Sequence, residues 1–308
     1  MSLRLVADIG GTNARLALCQ AGILMDGSVK RYANADWASI DAVVENYLQG
    51  QVAASPSEMV IAVAGPVHEG SARLTNRGWS IIAEDLARQF ACPQVHLLND
   101  LTALGYAVPH LRAEQLGEVS AGAARRSDHR QSLVVGIGTG FNVSPVLEAA
   151  GHVLCPAAEA GHLAMPSSVV DGLSTTGINP TQFPTIETLF SGRGLTAFCQ
   201  IMVGNQGLQG AAAIEAYGAT DADQTTTAID RYAALLGELL RELSLAYMPS
   251  SGIYLAGSVA RALMAKSPRR CVDVFRSPCG INQSDTTAIW TIDDDASALL
   301  GCARFAFS

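Results

Sequence analysis

Two short glycine-rich segments, each following a buried apolar run, contain residue types that suit phosphate binding. The first is Asp8-Ile9-Gly10-Gly11-Thr12-Asn13 and the second is Gly136-Ile137-Gly138-Thr139-Gly140. Glycine lets backbone N–H groups approach an anion closely because no Cβ intervenes, and a threonine hydroxyl adds a further donor. Either segment alone is as well explained by a tight hairpin turn. Their recurrence favours a duplicated chain with two phosphate-binding turns.

The two segments differ at their first position, where the first has Asp8 and the second has Gly136. A carboxylate at the end of a strand can hold Mg²⁺ through water, because this ion keeps much of its hydration. The alternative is that Asp8 is a polar strand end that hydrogen bonds within its own turn. Because the duplicate position carries no acid, we expect Asp8 to hold the metal.

Two common nucleotide-binding loops do not fit the sequence. A Walker A loop needs a lysine after its last glycine, and neither Lys30 nor Lys266 is placed in that way. The segment from Gly136 to Gly140 lacks the third glycine of a dinucleotide-binding turn, and no acidic ribose ligand follows it at the expected distance. The sequence therefore excludes a P-loop protein and disfavours dinucleotide binding.

Asn99-Asp100 follows a predicted strand and precedes a helical pattern. Taken alone, Asp100 is best interpreted as a helix N-cap. Phosphoryl transfer, however, also uses a carboxylate that accepts the proton of the attacking hydroxyl, and a carboxylate has two oxygens for the two roles. Asp100 therefore has both a structural and a catalytic interpretation.

Glu159 and His162 stand three residues apart, as on the exposed face of a helix, but Ala160-Gly161 between them argues against a stable helix. Carboxylate and imidazole groups at this spacing can form hydrogen bonds to hydroxyls. Glu187 taken alone is an ordinary polar residue.

Apolar runs alternate with helical patterns, which predicts an α/β protein. The clearest helix covers 229–247, where apolar residues recur at three- and four-residue spacing. The segment 166–184 is rich in Ser, Thr, Gly and Pro and is predicted to be an ordered loop. Strands are predicted at 3–7, 15–19, 59–64, 95–98, 133–137, 252–255 and 288–292.

The composition is that of a compact soluble protein. The chain has 308 residues, of which 49% are hydrophobic and 16% charged, with a net charge of −8. This length suits two domains.

No apolar stretch approaches the roughly 20 residues of a membrane span, and no secretory signal is evident, so we expect a cytoplasmic protein. No basic stripe predicts a nucleic-acid or membrane partner. Seven scattered cysteines without a CxxC pair predict free thiols.

Taken in chain order, these motifs resemble the bacterial glucokinase family, within the hexokinase and actin-like ATPase fold. The two turns resemble its phosphate-1 and phosphate-2 segments, and Gly252 to Gly257 resembles its adenosine segment. The resemblance runs along nearly the whole chain and continues through Thr75-Asn76-Arg77-Gly78-Trp79, Leu98-Asn99-Asp100, Glu159-Ala160-Gly161-His162, Glu187 before Ser191-Gly192, and Leu299-Leu300-Gly301.

The resemblance implies duplicated actin-like ATPase (ribonuclease H-like) domains with an interlobe cleft. The small domain would cover 1–110, joined by a C-terminal helix at about 296–308, and the large domain 111–295. It implies ATP-dependent phosphorylation of a hexose, first of all glucose at its 6-hydroxyl, with Asp100 as general base and a homodimer as the assembly. The implied sugar ligands are Asn99, Asp100, Glu159, His162 and Glu187. The implied ATP ligands are Asp8, Gly10, Gly11, Thr12, Asn13, Gly138, Thr139, Gly140 and Gly257.

The chain departs from the family pattern at two places. Phe141-Asn142 stands where the family has an apolar residue and a glycine, and Ser258 follows Gly257 where the family has a second glycine. These side chains are expected to crowd the nucleotide side. A kinase for another hexose or an amino sugar, and a sugar-binding sensor that has lost turnover, therefore stay open as alternatives.

The related ROK family holds zinc with several cysteines near an equivalent histidine. This chain has only Cys155 nearby, too few ligands for a four-coordinate site, so no zinc is expected.

Overall fold

The computed structural model describes residues 2–51, 55–74, 78–122, 130–219, 223–278 and 286–306. The motif residues Thr75, Asn76 and Arg77 lie outside the described residues. The chain divides into two compact units, and the C-terminal segment belongs to the first of them. The first unit contains 1–111 and 294–308, and the second contains 112–293.

The described residues form strands and helices in alternation, as the sequence predicts. The strands are β1 (Leu3–Ile9), β2 (Asn13–Gln20), β3 (Ile23–Leu24), β4 (Lys30–Ala33), β5 (Glu58–Val63), β6 (Val67–His68), β7 (Ser71–Arg73), β8 (Ser80–Ile82), β9 (Gln94–Asn99), β10 (Leu116–Ser120), β11 (Arg130–Ile137), β12 (Phe141–Ala149), β13 (His152–Leu154), β14 (Gly252–Ala256) and β15 (Ile289–Ile292). The α-helices are α1 (Ile40–Gln49), α2 (Ala83–Gln89), α3 (Asp100–Ala107), α4 (Ser167–Thr175), α5 (Ile186–Leu189), α6 (Gly192–Val203), α7 (Gly210–Glu215), α8 (Asp223–Tyr247), α9 (Ser258–Lys266), α10 (Pro268–Phe275) and α11 (Ser297–Arg304).

The first unit is built on a mixed sheet in the order β3-β2-β1-β5-β9, with β4 also paired to β2. β1 pairs antiparallel with β2 and parallel with β5, and β5 pairs parallel with β9. The parallel strands end at the same edge of the sheet. This arrangement places the residues after β1 and β9 at one edge, where the first glycine turn and Asp100 follow.

Both faces of this sheet are covered by helices, which explains why its central strands are continuously apolar. Along β5, Met59, Ile61 and Val63 contact the core that includes α1 and α2. The alternate residues Val60 and Ala62 contact a second core that includes α3 and α11. Alternation of side chains along a strand therefore separates two helix layers.

The C-terminal helix α11 is fixed to the first unit by a close approach to α3 and by the half-buried guanidinium of Arg4. A Cβ at Gly301 would overlap the carbonyl of Ala103, so only glycine lets α11 lie this close to α3. Arg4 on β1 donates to the carbonyls of Ala303 at 2.9 Å and Phe305 at 2.7 Å. Cations near a helix C-terminus satisfy carbonyls that have no partner within the helix.

The second unit repeats the same strand–turn–strand plan. Its sheet has the order β10-β15-β14-β11-β12-β13. β11 pairs antiparallel with β12 and parallel with β14, as β1 does with β2 and β5. The long helix α8 supplies the central apolar stripe of this unit, and residues on it that contact the core include Ile229, Tyr232, Leu236, Leu239, Leu240 and Leu243.

The observed elements differ from the sequence predictions in two segments. The prediction of a loop at 166–184 is wrong, because α4 forms there and buries Val169 and Leu173, which are four residues apart. The predicted helix at 229–247 begins earlier, at Asp223, since Thr225 and Ala228 are also buried. Every predicted strand overlaps an observed strand. No helix in the described part of the chain has the length and apolarity that crossing a membrane requires.

Candidate active site

The first glycine turn joins β1 to β2, and two of its carbonyl groups accept hydrogen bonds from Asn34. The N–H of Gly10 donates to the carbonyl of Asn13 at 2.9 Å. Asn34, fully buried, donates its side-chain amide to the carbonyl of Gly10 at 2.8 Å and its N–H to the carbonyl of Thr12 at 2.9 Å. Among the described residues, the N–H groups of Gly11 and Thr12 have no acceptor. The turn thus presents donors, which is what a phosphate oxygen requires.

Asp8 lies near the end of β1 directly across from Arg15 on β2. Its Oδ2 is 3.3 Å from Nη1 of Arg15, and Nη2 of Arg15 is 3.3 Å from Oδ2 of Asp295. Burial raises the pKa of the Asp8 carboxyl to about 6, although Arg15 lowers it, and Asp295 raises it further. Asp8 is therefore a buried carboxylate that a single guanidinium only partly compensates.

Asn99 and Asp100 mark the junction between β9 and α3. Oδ1 of Asn99 accepts the N–H of Leu101 at 3.0 Å, so Asn99, and not Asp100, caps the helix. The other end of this amide donates to the carbonyl of Gly65 at 3.0 Å. The interpretation of Asp100 as the cap is thus wrong. Asn99 has the extended backbone of an N-cap, whereas Asp100 is already helical.

Asp100 is half-buried, and its Oδ1 accepts the N–H of Leu101 at 2.8 Å. Burial raises the pKa of its carboxyl to about 6, and the negative charge of Asp8 raises it further, while hydrogen bonds from Leu101 and Asn99 lower it. The charge of Asp8 thus acts on Asp100 within the first unit. A carboxyl with a pKa near 6 is ionised at neutral pH yet binds a proton far better than an ordinary aspartate.

The second glycine turn joins β11 to β12 and is one residue shorter than the first. Ile137 pairs with Phe141 across it, whereas Ile9 pairs with Ala14 across the first turn. The N–H of Gly138 donates to the carbonyl of Gly140 at 3.0 Å. Within the described residues, the N–H groups of Thr139 and Gly140 have no acceptor. The second turn therefore also presents free backbone donors.

Gly257 lies beside the second turn, between β14 and α9. Its φ of 93° falls in the region that favours glycine, and a Cβ there would overlap the carbonyl of Ile137. Ser258, the first residue of α9, stands next to it. The adenosine-like segment and the phosphate-2-like segment are thus brought together inside the second unit.

Glu187 on α5 contacts the end of the second turn. Its Oε2 accepts the N–H of Phe141 at 3.1 Å, and its Oε1 lies 3.4 Å from Nη2 of Arg193. A Cβ at Gly140 would lie only 2.6 Å from Oε2 of Glu187. Glycine at this position therefore lets the carboxylate approach the turn.

Glu159 and His162 belong to a single 3-10 turn formed by Ala160–His162, where the N–H of His162 donates to the carbonyl of Glu159 at 3.3 Å. Both side chains are exposed. Asn142 holds this turn, because its Oδ1 accepts the N–H of Ala160 at 2.9 Å. The helical interpretation of the pair is excluded by the single short turn.

Of the three residues that depart from the family pattern, Phe141 and Asn142 contact the core and the segment 158–160. The ring of Phe141 is only 3% exposed and contacts Phe190 in the core, with 6.4 Å between ring centroids. Asn142 bonds to the segment 158–160. That these side chains and Ser258 crowd the nucleotide side stays a prediction.

The predicted site residues fall into one group in each unit. Asp8, Asn99, Asp100 and the first turn are in the first unit, and Glu159, His162, Glu187, Gly257 and the second turn are in the second. Sequence reasoning missed Arg15 and Asn34. Counting the hairpin register back from the first turn would place Arg15 opposite Asp8. Asn34 directly follows the short strand β4 and begins a 3-10 turn, and no local pattern connects it to the first glycine turn.

The sequence model of a family described as "Glucokinase" matches residues 5–303. A glucokinase from Caulobacter vibrioides is 29% identical over 289 residues, which cover 87% of this chain and 84% of that protein.

Solved structures of glucokinases share the fold of this chain. The crystal structure of a glucokinase from an Antarctic psychrotroph has a TM-score of 0.84 and 26% identity, covering 99% of this chain and 98% of that one. A ROK family glucokinase from Streptomyces griseus, in complex with glucose and AMPPNP, has a TM-score of 0.63 and 17% identity, with 98% of each chain covered. The predicted fold class, α/β with the actin-like ATPase fold, is confirmed.

Proposed function

The chain belongs to the glucokinase family and is a sugar phosphotransferase, an ATP-dependent hexose kinase, and from this premise we propose that it phosphorylates glucose at the 6-hydroxyl, with Asp100 as the general base. The name of the Caulobacter relative and the glucose and AMPPNP in the Streptomyces structure support this choice of substrates. The same proposal includes the domains 1–110 with 296–308 and 111–295, a homodimer and a cytoplasmic location.

Asp100 is the residue on which the proposal depends most. The first turn of α3 holds one of its oxygens through the N–H of Leu101. A carboxylate can accept further hydrogen bonds at its second oxygen, so proton transfer need not disturb the helix. Its pKa of about 6 lies close to neutral pH, where a general base is most effective. The proton of the sugar hydroxyl would pass to Asp100 as the hydroxyl oxygen attacks the γ-phosphorus, and the bond from this phosphorus to the β,γ-bridging oxygen would break to release ADP.

The two glycine turns would bind the phosphates of ATP. Each presents N–H groups without an acceptor among the described residues, at Gly11 and Thr12 in the first and at Thr139 and Gly140 in the second. Thr12 and Thr139 are both exposed and would add hydroxyl donors. Asn13, Gly10, Gly138 and Gly257 shape the backbone around these donors.

Mg²⁺ fits this set of residues if ATP and water supply most of its ligands. No group of three or more His, Cys, Asp or Glu side chains suited to a metal occurs among the described residues. Asp8, buried and with a raised pKa, would hold the ion through water, which suits an ion that keeps its hydration. When bound, Mg²⁺ neutralises part of the charge on the β- and γ-phosphates.

The sugar would be held by carboxylate, amide and imidazole groups. One N–H of the Asn99 side chain is used by the carbonyl of Gly65, which leaves its second N–H for a hydroxyl. Glu159, His162 and Glu187 would accept or donate at the other hydroxyls. A site of this kind discriminates strongly, because a missing or inverted hydroxyl leaves a polar group without its partner.

A panel of hexoses and amino sugars with MgATP, followed by coupled detection of ADP, tests the proposal. The highest kcat/KM is expected for glucose. Preference for another sugar would replace the substrate but keep the reaction. Glucose binding by calorimetry with no turnover and no ATP binding would contradict the kinase and favour a sugar sensor.

A further inference from the structure

Asn142 stands at the register position that Arg15 occupies in the first hairpin. Asn142 pairs with Gly136 on β11, just as Arg15 pairs with Asp8 on β1. In the first hairpin the side chain at this position holds a carboxylate on the neighbouring strand. In the second hairpin the neighbouring strand has no side chain at Gly136, so the amide of Asn142 is free to reach a different partner.

That partner is the turn that carries Glu159. Nδ2 of Asn142 donates to the carbonyl of Ala158 at 2.6 Å and lies 3.3 Å from Oε2 of Glu159. Oδ1 accepts the N–H of Ala160 at 2.9 Å and that of Val143 at 2.8 Å. One side chain thus bonds to three successive residues of the turn, and both ends of its amide are used.

The same strand end also fixes the other proposed sugar carboxylate. The N–H of Phe141 donates to Oε2 of Glu187 at 3.1 Å. A Cβ at Gly161 would overlap the carbonyl oxygen of Phe141 and would lie 3.3 Å from Cβ of Glu187. The first peptides of β12 therefore contact the Glu159 turn and Glu187 together.

We propose that the side-chain amide of Asn142 positions the carboxylate of Glu159 for sugar binding and thereby sets the selectivity of this chain among hexoses. The inference rests on the proposed function, because Glu159 is assigned to the sugar there. Asn142 is a positioning residue and acts through Glu159.

The physical reason is the freedom of an exposed glutamate. Glu159 is exposed, and its Oε1 forms no hydrogen bond with the described residues. Without Asn142 its side chain would sample several rotamers, and binding a sugar would require ordering it. With Oε2 near Nδ2 of Asn142, Oε1 is left in a defined place to accept one hydroxyl. A hydrogen-bond acceptor in a fixed position distinguishes sugar epimers more strongly than a mobile acceptor does.

Asn142→Asp is the most direct variant, because it keeps the shape and the acceptor oxygen but replaces the donor by a second negative charge beside Glu159. Asn142→Gly removes the side chain. Asn179→Asp is the matched control. Asn179 is exposed and caps the 3-10 turn Pro180–Gln182 by accepting the N–H of Thr181, which an aspartate does equally well.

Both Asn142 variants are expected to raise KM and Kd for glucose by about tenfold, as when a hydrogen bond to a charged group is lost. KM for ATP should change by less than about twofold, and the preference for glucose over its epimers should fall by about tenfold. Asn179→Asp should match the wild type. Thermal unfolding identifies a variant that is not folded, and the comparison then uses the other one.

Unchanged affinity and unchanged preference in a folded variant would overturn the inference, as would an equal rise in KM for sugar and ATP, which indicates a general structural defect. Sugar affinity is measured by calorimetry as well as by turnover. The Asn142 comparison therefore decides the inference even where the wild type binds glucose without phosphorylating it, which contradicts only the proposed reaction. A wild type that binds no hexose would overturn both.

Discussion

Arg15 lies across the first hairpin from Asp8, with its Nη1 3.3 Å from Oδ2 of that carboxylate. Its Nη2 is also 3.3 Å from Asp295, at the start of the C-terminal segment that returns to the first unit. One guanidinium is thus shared by a buried and an exposed carboxylate. The corresponding pair in the second hairpin is Gly136 and Asn142, which carries no charge. The asymmetry between the two repeats therefore involves both strands of each hairpin.

Replacing Arg15 should disturb the proposed metal-linked carboxylate. In Arg15→Gln the pKa of Asp8 should rise above about 6, because the ion pair that lowers it is gone. A larger fraction of Asp8 would then be protonated near neutral pH, and kcat/KM for MgATP should fall by about threefold or more. Asp295→Asn removes the exposed partner and should change the same quantity by less than about twofold. Equal effects of the two variants would contradict the assignment.

The acid limb of the activity profile should report Asp100. Its pKa is raised by burial and by Asp8 to about 6, from an ordinary value of 3.8. As general base it must be deprotonated, so kcat/KM for the sugar should be constant above about pH 7 and fall as pH drops through about 6. Steady-state rates from pH 4.5 to 8.5 in a constant-ionic-strength buffer measure this. A rate that stays constant down to pH 4.5 would be incompatible with the proposed base.

The same raised pKa predicts how stability depends on pH. Between pH 3.8 and about pH 6, the folded state binds more protons at Asp100 than the unfolded state does. The free energy of unfolding therefore falls as the pH rises through this range. Above about pH 6, Asp100 is ionised in both the folded and the unfolded state, and its charge lowers the free energy of unfolding by a constant amount. Asp100→Asn removes this charge and should stabilise the protein at pH 7.5 by about 1 to 3 kcal/mol, with little gain at pH 4.

Urea unfolding of wild type and variant at both pH values tests this. Asp26→Asn, at an exposed position, serves as the control and should change the stability at neither pH. A destabilised Asp100→Asn at pH 7.5 would count against the raised pKa.

Two glycines in the second turn should differ in their effect on sugar binding, because only Gly140 lies against Glu187. A Cβ at Gly140 would lie 2.6 Å from Oε2 of Glu187, so Gly140→Ala should push this carboxylate off the N–H of Phe141 and raise KM for glucose by about tenfold. A Cβ at Gly138 meets nothing within 4 Å. Gly138→Ala should therefore leave the fold and the sugar KM unchanged and raise only KM for ATP, because we propose that the ATP phosphates bind against this backbone.

Initial rates over a matrix of sugar and ATP concentrations give both constants for each variant. An identical pattern in the two alanine variants would remove the distinction between the two neighbouring glycines.

Much of the fold could be predicted from the sequence because its signals are local. The apolar runs of β1, β5 and β11 are long enough to identify buried parallel strands, and the stripe on α8 has a clear helical period. The prediction of a loop at 166–184 was wrong for a physical reason. Its Ser, Thr, Gly and Pro content is typical of loops, but burial of Val169 and Leu173 outweighs that weak preference.

The sequence predicts candidate site residues where backbone chemistry sets the residue type, and it gives no signal where a side chain contacts a distant part of the chain. Gly138 and Gly140 are evident from their spacing. Asn34 and Asn142 are single amides whose partners are 24 and 18 residues away. No pattern in one sequence connects residues over such distances. The sequence also did not identify Asn99 as the N-cap of α3. Asn and Asp are both good caps, and only the backbone conformation decides between Asn99 and Asp100.

The most direct test of the account is the turnover and glucose affinity of Asp100→Asn beside the wild type, with ADP release and calorimetry as the readouts. An asparagine keeps the size of the side chain and an oxygen for the N–H of Leu101, but it accepts no proton. We predict that kcat falls by at least about 100-fold while Kd for glucose stays within about threefold of the wild type. Turnover within about tenfold of the wild type would contradict the role of Asp100 as the general base.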